Sequence, residues 1–94
     1  MRTFDEVLAA AKAGDAVSQD LLAQAMEQMG RLDEALSWWM EAAKRGHPGA
    51  HAKLGLWQLV GFQIPQNIAQ GVERIHAAAR AGDDLGLALA CVVD

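Results

Sequence analysis

The chain has 94 residues, enough for one continuous core and too few for two, since single domains run from about 50 to 200 residues. Its hydrophobic share of 52% lies mainly in Ala and Leu, with three Trp, two Phe, no Tyr and few β-branched residues, a composition that favours packed helices over strands. Eight basic against twelve acidic residues give a formal charge of −4, so no cationic field is on offer to a nucleic-acid backbone or an anionic lipid surface.

The opening Met1-Arg2-Thr3-Phe4-Asp5-Glu6 turns acidic at once, unlike a signal peptide, and no apolar run approaches the ~20 residues of a membrane span. Cys91 is the only cysteine, so no intrachain disulfide can form and a soluble, cytosolic setting is expected.

In chain order, Thr3 and Glu6 have capping-box spacing and predict a helix over 4–13, which Gly14 ends. Asp15 then suits the start of a helix over 16–29, closed by Gly30, and a third follows over 32–45 up to Gly46. Pro48 fits the first turn of a helix over 48–60. The stretch Gly61-Phe62-Gln63-Ile64-Pro65-Gln66 is a loop, after which Asn67 with Gln70 opens a helix over 67–81. Beyond Gly82, Asp83 precedes a last helix over 84–93, and no strand is predicted. Leu32, Leu36, Trp39, Met40 and Ala43, and likewise Ile68, Val72, Ile75 and Ala79, recur at three- and four-residue steps and are the expected core stripes.

The sequence repeats. Ala10-Ala11-Lys12-Ala13-Gly14, Ala42-Ala43-Lys44-Arg45-Gly46 and Ala78-Ala79-Arg80-Ala81-Gly82 are three copies of Ala-Ala-basic-x-Gly, and the glycines are 32 and then 36 residues apart. That period is the length of one helix-turn-helix unit in a solenoid. Small residues stand at matching positions inside each pair, Ala23 with Ala35 and Gly55 with Gly71, which calls for close helix approach.

Ala50 to Gly61 with Leu54-Gly55, the loop Pro65-Gln66-Asn67, and Gly71-Val72-Glu73-Arg74-Ile75 through Ala78-Ala79 and Gly82 together resemble one full Sel1-like repeat, a relative of the tetratricopeptide repeat. Arg31 to Gly46, with Ala35, Trp38-Trp39 and Ala42-Ala43, resembles the second helix of the preceding unit, although the loop before it is cut to Gly30-Arg31. The resemblance implies an all-α fold, a short right-handed α/α solenoid of antiparallel helix pairs with about six helices. It divides the single domain, residues 1–94, into a partial unit 3–14, pairs 15–46 and 47–82, and a final helix 83–94, which is expected to belong to a longer chain or to self-associate. It also implies binding to a protein or peptide partner, since the family mostly assembles complexes.

In such a solenoid the first helix of each pair lines a concave groove. Asp20, Gln24 and Glu27 from one pair and Lys53, Trp57 and Val60 from the next are therefore the expected partner-binding residues, with Trp57 as a partly exposed anchor. Their alternative fate is the ordinary one, a solvated polar face and a Trp packed on a neighbouring helix. Trp38 and Trp39 are turned about 100° apart by helical geometry, so Trp39 is assigned to the core and Trp38 to an inter-repeat contact. His47 and His51 have the spacing of a metal pair without an evident third ligand, so no metal site is expected. His76, Ser18 and Ser37 form no nucleophile–base set, and no catalytic residue or cofactor is assigned.

The last helix, Leu85-Gly86-Leu87-Ala88-Leu89-Ala90-Cys91-Val92-Val93, has no polar side chain, although a terminal repeat normally needs a polar outer face. Leu85, Leu89, Val92 and Val93 are accordingly the expected self-association residues, in a homodimer or as the seat of further repeats. The leading reading is a non-catalytic interaction module. The rival is an N-terminal docking or dimerisation domain of a larger enzyme, such as an Fe(II)/2-oxoglutarate oxygenase, because Sel1-like arrays also precede such domains.

Overall fold

A computed structural model of the chain describes residues 3–93. It contains α1 (Phe4–Lys12), α2 (Ala16–Gln28), α3 (Leu32–Lys44), α4 (Pro48–Val60), α5 (Ile68–Arg80) and α6 (Asp84–Val93), and no strand among the described residues. Each helix matches its expected span to within a residue at either end.

The ends are where local chemistry puts them. Thr3 Oγ1 accepts from the Glu6 N–H at 3.2 Å, Asp15 Oδ2 from Ser18 at 3.1 Å, Asn67 Oδ1 from Gln70 at 3.1 Å and Asp83 Oδ2 from Gly86 at 2.9 Å, each filling an orphan donor of a helical first turn. The repeat glycine does the opposite job. At Gly82 φ is +84°, a left-handed turn that a side chain would strain, and the following Asp83 N–H reaches back to Ala78 O at 3.0 Å. The same bond runs from Asp15 to Ala10 at 3.0 Å and from His47 to Ala42 at 3.1 Å, so the first Ala of every Ala-Ala doublet accepts the bond that closes its helix.

The described residues form two compact units, one up to His47 and one from Pro48 onward. In the first, α2 packs on both α1 and α3 around Ala11, Leu22, Ala23, Met26, Ala35, Trp39, Ala42 and Ala43, all buried. In the second, α4, α5 and α6 pack on one another around Ala50, Ala52, Leu54, Trp57, Ile75 and Ala78.

The core stripes differ from the expected ones. Met40 and Ile68 are exposed, and the fully buried lines run Ala35–Trp39–Ala42 on α3 and Gly71–Ile75–Ala78 on α5. On α5 the buried line follows from how closely it pairs with α4. A Cβ built on Gly55 would stand 2.8 Å from Gly71 O, and one on Gly71 would stand 2.8 Å from Gly55 O. Helices that approach this closely meet at their smallest residues, and Ile68, outside that contact, stays in solvent.

Candidate interaction surface

The residues expected to meet a partner divide between the two units. On α2, Asp20 turns inward. Its Oδ1 accepts from the Trp39 indole Nε1 at 2.7 Å, and its Oδ2 accepts from Gln24 Nε2 at 3.0 Å and faces His47 Nε2 at 3.4 Å. The Asp20 and His47 side chains keep only 17% and 20% of their exposure. Asp20 thus braces α3 and the residue that follows Gly46, instead of standing free on the solvent-facing surface expected for it. Gln24 is exposed and Glu27 half-buried.

On α4, Trp57 is only 4% exposed and its ring meets Phe62 edge-on, with centroids 5.2 Å apart at 81°. The partly exposed anchor is therefore not found. The loop folds Phe62 back onto the indole, and Phe62 itself keeps 42% of its surface in solvent. Val60 lies outward at 64% and Lys53 is half-buried. Trp39 is in the core, as assigned, and Trp38 is half-buried.

His51 Nδ1 lies 3.3 Å from Arg74 Nη1, and with Gln70, Glu73 and Ala77 the two line an open depression of about 310 Å³. His47 instead faces Asp20, so each imidazole of the supposed metal pair is turned to a partner of its own. No cluster of three or more metal-ligating side chains occurs among the described residues. The depression was not legible beforehand, because Arg74 and His51 stand on different helices and only the α4–α5 pairing joins them.

The last helix leaves much of its apolar surface in solvent. Leu85, Leu87 and Val92 are 38%, 48% and 79% exposed, and Cys91 is exposed as well. Leu89 and Val93 are half-buried. The inner edge of α6 is Gly86, where a Cβ would come within 2.7 Å of Ala78 Cβ. Leu87 and Cys91 thus belong to the open face, although the expected set omitted them. No described helix is long and apolar enough to cross a membrane.

Paired helices closed by a recurrent left-handed glycine, with small residues at each crossing, define an α/α helical-repeat protein. Its fold is similar to that of a solved Sel1-like repeat protein. The chain matches, with 29% identity and a TM-score of 0.76, the crystal structure of a protective antigen from uropathogenic Escherichia coli strains that displays a Sel1-like repeat (SLR) fold. The likeness covers 87% of this chain and 18% of the antigen's. No protein-family model and no curated protein matches the sequence.

Proposed function

We propose that the chain is a non-catalytic interaction module whose principal contact surface is the outer face of α6. The observation that carries this reading is the exposure of Leu85, Leu87 and Val92 along one helix that has no polar side chain after Asp84. Fully burying a side chain of this kind is worth about 1.5–3 kcal/mol. A cover over three of them therefore supplies the driving force of a small interface. Leu89 and Val93 form the inner margin of the same surface and Val92 its outermost point. Gln24 and Glu27 in the first unit, and Lys53 and Val60 in the second, serve as subsidiary partner contacts, while Asp20 and Trp57 hold those helices in place from within. The single cysteine and the acidic balance support a cytosolic protein partner over a nucleic acid or a membrane.

The test is molar mass by light scattering across a concentration series, for the unaltered chain and for Val92→Lys. The unaltered chain is expected to rise above its 10.1 kDa monomer mass with concentration, and Val92→Lys to stay near it. Identical mass curves for the two proteins would remove α6 as a self-association surface.

A further inference from the structure

The repeat allows each outer helix to be compared with its counterparts at the same distance from a repeat glycine. Thr3, which caps α1, and Val7 and Ala10 within it stand level with Ala35, Trp39 and Ala42 of α3 and with Gly71, Ile75 and Ala78 of α5. In α3 and α5 all these positions are buried, but in α1 Thr3 is exposed and Val7 and Ala10 are half-buried. The face with which a second helix meets the first helix of its own pair is therefore only partly covered on α1.

The converse holds for α6. Leu87, Ala88 and Cys91 stand level with Gln19, Asp20 and Ala23 of α2 and with His51, Ala52 and Gly55 of α4. On α2 and α4 this face is covered: Ala23, Ala52 and Gly55 are buried, Asp20 bonds Trp39 of α3, and His51 faces Arg74 of α5. On α6 all three counterparts are exposed. One chain thus carries an uncovered first-helix face and a partly covered second-helix face, the two halves of a contact it already makes internally, with Cys91 and the capping residue Thr3 in register with Gly55 and Gly71.

We infer that the chain self-associates head to tail, with α1 of one copy seated on the Leu87–Ala88–Cys91 face of α6 of the next. The inference rests on the reading of α6 as a contact surface and adds the occupant and its orientation. Such a contact is heterologous, so it leaves a free α6 at one end and a free α1 at the other and need not stop at a dimer.

Two variants separate this arrangement from every other use of α6. Cys91→Arg blocks the α6 face at an exposed position, and Val7→Arg blocks the α1 face; circular dichroism checks that both remain helical. In light scattering each variant alone is expected to stay monomeric, whereas an equimolar mixture should give a complex of twice the monomer mass that grows no further. If Val7→Arg associates as the unaltered chain does, the head-to-tail contact is wrong while the α6 surface stands; if the unaltered chain is monomeric throughout, the head-to-tail contact falls and the α6 surface is left to a partner of another kind. Thr3→Cys gives up the cap on the Glu6 N–H, so circular dichroism must show α1 retained; a disulfide to Cys91 then reports the contact directly, because it needs Cα atoms within about 4.4–6.8 Å of each other. Mild oxidation of that variant is expected to give a ladder of linked multimers, and a product ending at the dimer overturns the proposal.

Discussion

The indole Nε1 of Trp39 donates to Oδ1 of Asp20 across 2.7 Å, joining the middle of α3 to α2 nineteen residues earlier. The same carboxylate holds Gln24 and faces His47, so one acidic side chain fixes the rotation of α2, the seat of the largest core residue and the residue that follows the repeat glycine. Asp20→Ala removes the acceptor from a buried indole and is expected to cost about 1–3 kcal/mol, with Asp20→Asn costing less because its amide oxygen can still accept. Urea unfolding midpoints measure both; equal midpoints for Asp20→Ala and the unaltered chain would show the bond to be energetically idle.

Gly55→Ala and Gly71→Ala each place a methyl group against a backbone carbonyl oxygen at 2.8 Å. A helix interior gains up to about 1 kcal/mol from Gly→Ala, but overpacking against backbone costs about 1–3 kcal/mol. Because a carbonyl in a packed helix cannot rotate away, the cost wins, and both variants should melt at lower temperature than the unaltered chain. A rise in melting temperature for either would mean that the helix pair separates more easily than its geometry implies.

Gly82→Ala presents the opposite case. No atom lies within 4 Å of the Cβ it would introduce, so only the left-handed φ of +84° opposes it. The expected loss is about 1–2 kcal/mol from backbone strain alone. Gly82→Asn should recover part of that loss, as Asn tolerates this conformation, and chemical denaturation of the two variants side by side gives the comparison.

Phe62→Ala removes the ring that meets Trp57. The lost aromatic pair is worth about 0.5–1.5 kcal/mol beyond its buried area. Tryptophan emission should shift to longer wavelength as water reaches the indole. An unchanged spectrum together with unchanged stability would show that the loop does not shield Trp57.

How much of this was readable in advance differs between the helices and their faces. Helix ends follow from neighbours in the chain: a left-handed glycine stops the helix whatever surrounds it, and Asp15, Asn67 and Asp83 need only the N–H groups of the residues just beyond them. The faces do not. Met40 and Ile68 fit the apolar period and yet are exposed, and on α5 the close approach of Gly55 and Gly71 sets which line meets α4. Asp20 and Trp57 were assigned to a binding face for the same reason, since a carboxylate on one helix is outward until the indole of another claims it. Phe62 reads as an ordinary loop residue until the loop brings it to Trp57.

The sequence by itself determined that the protein is all helix, where each helix begins and ends, and that the unit recurs, since these depend on backbone conformations and capping bonds within a few residues. Only the tertiary structure decided which residues are core and which are surface. Those assignments depend on the rotation and spacing of helices brought together from distant parts of the chain, and thus on contacts such as Gly55 with Gly71 and Asp20 with Trp39, which no local pattern specifies.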